Sequence, residues 1–387
     1  MSDLAAHQLR LALFTGNYNY IRDGVALTLN RLVTYLERRG IAVLVFAPTA
    51  KSAAMPHAGE LVSVPSVPVP FHSEYRFALG LPKAAQKRLK DFKPNLFLLA
   101  APDALGHSAM KVAQSMNVPV VASFHTRLDT YLKFYRLGFL ENWGRNYLRR
   151  FYLRCRMVYP PSQSMVDILS EQGIATNLEV WGRGIDSDLF SPEKRSLVWR
   201  RSLGISDDDI VVSFVSRLVK EKNTAILVQV LQQLTAKKIA FKTLIVGLGP
   251  EEAHLREALP NAIFAGYLGG EDLARAYASS DIFFFPSESE TFGNVTLEAM
   301  ACGLPTVCAD ASGSNSLVED TVTGYLQDAK RIPGFVQHIT ELVQNSMLRK
   351  AMGAAARKRA LTFNWDFILD NLLASFLRVA NEKSAGP

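Results

Sequence analysis

The chain has 387 residues, enough for two or three domains, and its 48% apolar and 20% charged residues are those of a globular protein rather than a disordered one. No apolar run reaches the roughly 18 residues of a membrane span, the N-terminus lacks a signal-peptide pattern, and the three cysteines form neither a C-x-x-C motif nor a disulfide framework. We therefore expect a cytoplasmic protein without a structural metal.

Charge is distributed unevenly along the chain. Residues 1–184 hold 22 Lys and Arg against 12 Asp and Glu, whereas residues 185–387 hold 21 against 24. The basic first half predicts an anionic partner such as phosphate, nucleic acid or a lipid surface.

The first half alternates predicted strands and helices. Strand Leu9–Phe14, a polar loop, helix Val25–Arg39 and strand Ile41–Ala47 form a βαβ opening. The loop does not match G-x-G-x-x-G, but Gly24 directly before the helix allows the backbone to approach a phosphate closely. The remaining predicted elements are an extended proline-rich connection Val62–Phe71, helices Lys83–Lys93, Ala104–Met116 and Ser162–Glu171, and strands Asn95–Ala101, Val118–Ser123 and Val158–Pro160.

Trp143–Met157 is predicted to be the most basic helix. Aromatic and apolar side chains fill one half of its helical wheel, and arginines lie beyond both edges: Arg145, Arg149 and Arg156 on one side, Arg150 and Arg154 on the other. The pattern fits either a core helix with a solvated flank or a helix at an anionic membrane surface. Nucleic acid is not expected as a partner, because no recognition fold or aromatic-basic module matches.

A domain linker is predicted at Val180–Pro192, and the α/β alternation restarts after it. Strand Ile210–Val215 is followed by Arg217 and Lys222, a pair that fits solvated side chains as well as an anion site. The run Asp207–Asp209 precedes this strand, so it lies at the amino end of the sheet and is not expected to bind a metal. The later predicted elements are helix Ala225–Lys237, strand Phe241–Val246, a tight turn Gly247–Glu251, turns at Gly313–Ser316 and Gly324, and helices Val336–Gln344, Leu348–Leu361 and Asn364–Val379.

The stretch Asp281–Val307 carries the strongest functional signal. Apolar strand Ile282–Phe285 leads into a polar loop, and a helix begins near Gly293 and Asn294. Glu290 in the loop and Glu298 in the helix should border one ligand at the carboxyl edge of the sheet. The N–H groups of Gly293, Asn294 and Val295 favour an anion there, whereas the acids suit vicinal hydroxyls. The pattern indicates a nucleotide sugar, although a lone pair of acids at this spacing more often belongs to a capped helix with solvated carboxylates.

This segment resembles the donor-site motif of the family-four retaining glycosyltransferases of GT-B fold, and the resemblance covers nearly the whole chain. It implies two Rossmann-like domains facing a cleft: residues 1–184, with a returning helix at 366–387, would bind the acceptor, and residues 185–365 would bind the nucleotide sugar. It also implies that Glu290 contacts the donor sugar and that Glu298 holds the ribose diol.

The same resemblance implies further site residues. Arg217 and Lys222 would hold the donor diphosphate, His125 would hydrogen-bond the donor sugar, and Gly24 would meet the diphosphate from the first domain. The other donor-binding positions implied are Gly247, Tyr267, Leu268, Phe292, Gly293, Asn294 and Val295. The implied reaction moves a hexose from a UDP- or GDP-linked donor with retention of anomeric configuration, without a metal or other cofactor.

The acceptor is expected to bind the basic first domain. The arginine-rich helix and a resemblance to bacterial enzymes that glycosylate diacylglycerol or mannosylate glycolipids predict a lipid or glycolipid acceptor and peripheral association with the inner face of the membrane. The alternatives are a soluble sugar or glycan acceptor, a sugar-nucleotide epimerase or hydrolase of the same architecture, and a non-catalytic nucleotide-sugar-binding protein.

Overall fold

The computed structural model describes residues 6–69, 72–125 and 141–382, and these divide into two compact units. Residues 6–69, 72–125, 141–182 and 366–382 form the first unit, and residues 183–365 form the second. Each unit is built on a six-stranded parallel sheet with helices, which confirms the predicted fold class.

The first unit alternates strands and helices as the sequence predicts. Its strands are β1 Arg10–Phe14, β2 Ala42–Ala47, β3 Glu60–Ser63, β4 Ser66–Val69, β5 His72–Ala78, β6 Leu96–Leu99, β7 Val120–Ser123 and β8 Met157–Tyr159. Its first five helices are α1 Gly24–Arg38, α2 Lys83–Phe92, α3 Ala104–Met116, α4 Glu141–Tyr152 and α5 Gln163–Glu171. The parallel sheet has the order β3-β2-β1-β6-β7-β8, and β4 and β5 pair as an antiparallel hairpin outside it.

Side-chain caps fix the ends of the helices that follow the central strands. Asp23 begins α1 by accepting a hydrogen bond from the Ala26 N–H at 2.8 Å, and Asp103 begins α3 by accepting one from the Gly106 N–H at 2.7 Å. Asn117 ends α3 in the left-handed conformation, with φ of 53°. These caps hold the loops after β1 and β6 at the carboxyl edge of the sheet.

The second unit repeats the alternation. Its strands are β9 Val211–Val215, β10 Lys242–Val246, β11 Ile263–Gly266, β12 Ile282–Phe285, β13 Thr306–Ala309 and β14 Gly324–Gln327. Its helices are α6 Leu197–Ser202, α7 Thr224–Ala236, α8 Glu252–Ala258, α9 Glu271–Ala278, α10 Asn294–Ala301, α11 Ser312–Asn315, α12 Ile332–Gln344 and α13 Ser346–Ala360. The sheet order is β11-β10-β9-β12-β13-β14. Strand β12 is wholly apolar because both of its faces are buried.

The last helix, α14 Trp365–Asn381, belongs to the first unit from Asp366 onward. Asp370 accepts a hydrogen bond from the Tyr35 hydroxyl, and Ser375 Oγ lies 2.9 Å from the Tyr159 hydroxyl. Phe376 packs edge-on against Tyr159, with ring centroids 5.6 Å apart. The chain therefore returns to the unit in which it begins.

The structure corrects the predicted basic helix. Helix α4 ends at Tyr152, and residues 153–155 form a turn before β8, so Arg154 and Arg156 lie outside the helix. Trp143, which the helical wheel places on the apolar half, is 67% exposed. The prediction of one continuous helix over Trp143–Met157 is therefore wrong at its carboxyl end.

Three predicted turns or connections contain regular structure instead. The segment Val62–Phe71 includes the end of β3 and all of β4, Gly313 lies in α11, and Gly324 is the first residue of β14. Strand β11 and helices α8 and α9 had not been predicted.

Candidate functional site

The strand order of the second unit reverses between β9 and β12. Strand β9 is followed in sequence by its neighbour β10 on one side, whereas β12 pairs with β9 on the other side through Ile282 and Phe283. In open parallel sheets, ligands bind outside the carboxyl ends of the strands at such a reversal. Arg217 and Lys222 follow β9 and Glu290 follows β12, so these predicted residues come from the two loops that flank this point.

Lys222 and Glu290 join the two loops directly. Lys222 ends a short 3-10 turn, Lys220–Lys222, and its largely buried ammonium group donates to the Glu290 carboxylate and, at 3.2 Å, to Ser289 Oγ. The Asn223 amide reinforces the junction by donating to Pro286 O at 2.8 Å. A charge-assisted contact of this kind fixes both side chains, so the structure brings together the two residues predicted to hold the diphosphate and the sugar.

Arg217 lies on the same loop as Lys222 but is exposed. One guanidinium nitrogen of Arg217 is 4.0 Å from a carboxylate oxygen of Glu221, whose side chain is buried. The arginine is thus oriented by a neighbour on its own loop and still presents its planar donor group to solvent, where a phosphate could be bound in bidentate fashion.

Glycine residues after β10 hold the Arg217 loop in place. A Cβ atom on Gly247, which has φ of 134°, would lie 1.8 Å from the Ser216 carbonyl oxygen, and one on Gly249 would lie 2.3 Å from the Leu218 carbonyl oxygen. Leu248, which lies between these two glycines, accepts a hydrogen bond of 2.9 Å from the Leu218 N–H through its carbonyl oxygen. Gly247 and Gly249 therefore have a packing role as well as their predicted place in the turn. That role was not predicted, because Ser216 and Leu218 are remote from the two glycines in sequence.

Glu298 is held by a residue that the sequence analysis did not identify. The fully buried Tyr277 of α9 donates a hydrogen bond of 3.0 Å from its hydroxyl to Glu298 Oε2. Burial raises the pKa of Glu298 to about 7, and the hydrogen bond from Tyr277 acts in the opposite direction. Tyr277 carried no recognisable sequence signal, because α9 itself was not predicted.

The start of α10 follows the predicted pattern. Gly293 caps the helix in the left-handed conformation with φ of 96°, and the first intrahelical hydrogen bond runs from the Thr296 N–H to Gly293 O at 3.0 Å. Asn294 is exposed and Val295 is partly buried. The Phe292 side chain instead packs in the core against Phe363, with ring centroids 6.1 Å apart. Only the backbone of Phe292 is therefore available to contact a nucleotide sugar.

Helix α11 contacts and supports the loop that contains Glu290. Ser312 Oγ donates to the Glu290 carbonyl at 2.8 Å, and a Cβ atom on Gly313 would lie 2.5 Å from Glu290 Cβ. The sequence analysis placed only a turn here and missed both contacts. Of the other predicted donor residues, Tyr267 is exposed and Leu268 is partly buried against the core, directly after β11.

His125 and Gly24 lie in the first unit. His125 follows β7, with its Nε2 atom 2.8 Å from Ser123 Oγ and its ring edge-on to Trp181 at 6.2 Å between centroids. Gly24 is the exposed first residue of α1, directly after its cap Asp23. Both follow strands at the carboxyl edge of the first sheet, and their roles in donor binding remain predictions.

The five arginines of the predicted basic surface do not flank one helix. Arg145, Arg149 and Arg150 lie on α4, Arg154 lies in the following turn, and the Arg156 N–H donates to Val120 O at 2.7 Å at the start of β8. Exposed Trp143 stacks on Tyr147, with ring centroids 5.8 Å apart. An exposed tryptophan stacked on a partly buried tyrosine is therefore present on the helix that carries three of the arginines, in an arrangement different from the predicted one.

Within residues 6–69, 72–125 and 141–382, no group of three or more His, Cys, Asp and Glu side chains could hold a metal ion. In the same part of the chain, no helix combines the length and apolar character needed to cross a membrane.

Known proteins resemble this chain along almost its full length. The family model for Glycosyltransferase Family 4 matches residues 22–189, and the model for Glycosyl transferases group 1 matches residues 196–359. A GDP-mannose-dependent alpha-mannosyltransferase of Corynebacterium glutamicum is 32% identical over 375 residues, which cover 96% of this chain and 89% of that protein.

Two further proteins extend the comparison. The alpha-monoglucosyldiacylglycerol synthase of Streptococcus pneumoniae is 28% identical over 330 residues, or 82% of this chain and 75% of that protein. The structure of sucrose-phosphate synthase from Thermosynechococcus elongatus superposes with a TM-score of 0.81 at 19% identity, covering 96% of this chain and 99% of that one.

Proposed function

Because the chain belongs to the family-four glycosyltransferases of GT-B fold, we propose that it transfers a hexose from a nucleoside diphosphate sugar to a hydroxyl group of a membrane lipid or glycolipid, with retention of anomeric configuration. The observation that carries the proposal is the contact between Lys222 and Glu290 at the reversal point of the second sheet. This contact places the Lys222 ammonium group, which binds a phosphate, beside the Glu290 carboxylate, which accepts hydrogen bonds from sugar hydroxyls.

The main chemical task is to stabilise the leaving diphosphate. Cleavage of the bond between the sugar C1 atom and the phosphate oxygen leaves negative charge on the diphosphate. Lys222, Arg217 and the amides at the start of α10 supply fixed positive and dipolar groups for that charge. Loss of one such group lowers kcat by about 10²–10³-fold. This arrangement does not require a metal ion.

The carboxylates orient the two sugars of the donor. Glu290 accepts hydrogen bonds from the transferred hexose, while Lys222 holds the other side of the Glu290 carboxylate. Glu298 accepts hydrogen bonds from the ribose diol. As in the family's usual account, the acceptor hydroxyl attacks the sugar C1 atom on the face from which the diphosphate leaves. The bond from C1 to the phosphate oxygen breaks as the new C1–O bond forms, and the hydroxyl proton passes to the leaving phosphate oxygen.

GDP-mannose is the first donor to test, because the relative with 32% identity is named for it. Diacylglycerol and glycolipids are the first acceptors, since a second relative is named as a glucosyldiacylglycerol synthase. The protein is incubated with GDP-mannose, UDP-glucose or related donors and with these lipids, and products are followed by mass spectrometry. Donor turnover without acceptor would favour a hydrolase or epimerase, and absence of turnover with all donors would favour a binding protein.

Two variants test the site itself. Lys222→Met and Glu290→Gln should each lower kcat by about 10²–10³-fold while the protein stays folded. Lys220→Met is the matched control, because Lys220 is an exposed lysine on the same turn. Equal activity in Lys220→Met and Lys222→Met would contradict the assignment.

A lipid acceptor also requires contact with a membrane. We propose that the protein binds the inner face of the membrane peripherally through the first unit, near the arginines of α4 and exposed Trp143, which stacks on Tyr147. Co-sedimentation with anionic vesicles should then weaken as salt is raised, because salt screens the contact between arginine and lipid phosphate. A protein that does not sediment with these vesicles at low salt would contradict this part of the proposal.

A further inference from the structure

The hairpin formed by β4 and β5 exposes an apolar face to solvent. Val67 and Phe77 are directly opposed across the two strands, so their side chains share one face, and Leu79 continues that face two residues further on. Their side chains are 44%, 50% and 60% exposed, respectively. We refer to Val67, Phe77 and Leu79 as the hairpin face.

The opposite side of the hairpin is already used for packing. Ala78 of β5 and Val64, two residues before β4, are buried in the core of the first unit. An antiparallel sheet with one buried face is expected to carry polar residues on the other, because these are solvated at little cost. The hairpin face departs from that rule with three large apolar side chains in a row. A patch of this kind marks a surface that is covered by a partner in the working protein.

The hairpin is fixed to the carboxyl edge of the first sheet. The Arg76 N–H donates to the Tyr20 hydroxyl at 3.1 Å, and that hydroxyl donates to Gly16 O at 2.8 Å in the loop after β1. Gly80, at the end of the hairpin, lies so close to α3 that a Cβ atom there would be 2.8 Å from Ser108 Oγ. The hairpin face is therefore held beside the edge where ligands bind in such sheets.

The charge around the hairpin identifies the kind of partner. The chain leaves Leu79 and enters α2 within four residues, and α2 carries exposed lysines at positions 83, 87 and 90. The hairpin contacts α3 at Ser108, and the preceding residue of α3, His107, lies 3.1 Å from the hydroxyl of Tyr147, on which exposed Trp143 stacks. Apolar side chains next to lysines and an interfacial tryptophan suit a bilayer surface with anionic headgroups, where acyl chains and phosphates occur together.

We propose that the hairpin face enters the interfacial region of an anionic bilayer and positions the first unit to take its acceptor from the membrane. The inference rests on the proposed lipid acceptor and adds the surface through which the lipid is reached. The lysines of α2 supply the electrostatic part of the attraction, and Val67, Phe77 and Leu79 supply the part that salt does not screen.

The test compares two double variants on vesicles. Phe77→Ser/Leu79→Ser should bind vesicles of phosphatidylglycerol and phosphatidylcholine at least about 10-fold more weakly than the unchanged protein, at both low and high salt, because apolar area is lost from the contact. Leu197→Ser/Val198→Ser removes exposed apolar side chains from α6 in the second unit and should bind as the unchanged protein does. Unaltered thermal unfolding confirms that the variants are folded.

Activity on two acceptor forms separates this inference from the proposed function. The hairpin variant should lose activity on acceptor in vesicles but retain it on a water-soluble short-chain acceptor. Weakened vesicle binding in a protein that transfers no sugar would support the hairpin contact and reject the proposed function. Unchanged vesicle binding by the hairpin variant would overturn the inference, as would a change in oligomeric state, which would make the hairpin face a contact between copies of the chain.

Discussion

Glu298 shows how one residue depends on neighbours that sequence spacing does not reveal. Its Oε2 atom accepts a hydrogen bond of 3.0 Å from the hydroxyl of Tyr277, which lies on a different helix. Cys302, which follows the same helix, has its pKa raised by burial to about 12 and so stays neutral. The protonation of Glu298 is therefore governed by burial and by Tyr277.

Donor affinity should depend on pH through this carboxyl group. The pKa of Glu298 is raised to about 7, so the proton-bound form persists up to neutral pH and the carboxylate prevails above it. Because the carboxylate accepts hydrogen bonds from a diol, KM for the donor should fall as pH rises through this range. Tyr277→Phe removes the hydroxyl that lowers the pKa and should move the fall in KM to higher pH, with little change in kcat at high pH.

Measurement of KM for the donor across neutral pH checks this prediction. Glu298→Gln, which cannot ionise, should abolish the pH-dependent change and serves as the control. An unchanged midpoint in Tyr277→Phe would mean that the tyrosine is only a packing residue.

Gly313 offers a second prediction at the scale of one residue. A methyl group at Gly313 would overlap Glu290 Cβ at 2.5 Å, so Gly313→Ala should displace the Glu290 loop and lower kcat/KM by about 10²-fold, the size of effect that a small misplacement produces. Steady-state kinetics measure the change. Gly182→Ala is the control, because its nearest atoms lie 4.0 Å away. Full activity in Gly313→Ala would show that the loop adjusts freely.

Only the site residues that belong to a sequence motif could be predicted. Glu290, Glu298, Arg217 and Lys222 sit at fixed distances from strand ends, so spacing and family resemblance locate them. Tyr277, Gly249, Ser312 and Gly313 act through contacts between segments that lie far apart in sequence. No periodicity encodes such contacts, because they depend on how the helices pack.

At the scale of elements, the end of α4 illustrates the limit of helical periodicity. The apolar pattern continues through Cys155, which is buried, so a helical wheel has no reason to stop at Tyr152. The chain must nevertheless unwind, because Met157–Tyr159 pairs with β7 and the Arg156 N–H already bonds to Val120 O at 2.7 Å. Competition from the sheet decides the boundary, and the sequence of the helix does not contain that information.

Helix α6 is fixed to the amino end of the second sheet by a buried arginine. Arg200 is fully buried and donates to Ser279 O at 2.8 Å and to Asp281 Oδ2 at 3.2 Å, while the Val211 N–H also donates to Asp281 Oδ2 at 2.9 Å. Arg200→Ala leaves the Ser279 carbonyl without its buried cation and leaves Asp281 paired only with the partly exposed Arg195, whose guanidinium lies 2.9 Å from Asp281 Oδ1. The free energy of unfolding of the second unit should then fall by about 3 kcal/mol.

Denaturant unfolding of the two neighbouring arginine variants measures that loss. Arg201→Ala is the matched control, since Arg201 lies next in the same helix but forms an exposed pair with Asp207 and should change stability little. Similar midpoints for Arg200→Ala and Arg201→Ala would show that the buried network does not stabilise the unit.

At the scale of the whole molecule, the alternation of strands and helices predicted two parallel α/β units, because most of the predicted strands are followed by a helix that must return across the sheet. The amphipathic pattern of α14 indicates only that one face is buried, whereas its assignment to the first unit depends on partners such as Tyr35, Tyr159 and Glu179. These partners precede α14 by nearly 200 residues or more, so family resemblance rather than local pattern predicted the return of the helix.

A substitution at Phe376 tests whether the packing of α14 stabilises the first unit. The Phe376 side chain is fully buried and packs edge-on against Tyr159, so Phe376→Ala should lower the free energy of unfolding of the first unit by about 3–5 kcal/mol. Hydrogen exchange should then quicken in β8 and α14 but not in β12, because only the first unit loses the contact. Phe367→Ala, an exposed position on the same helix, should leave exchange unchanged. Faster exchange in β12 equal to that in β8 would show instead that α14 stabilises both units alike.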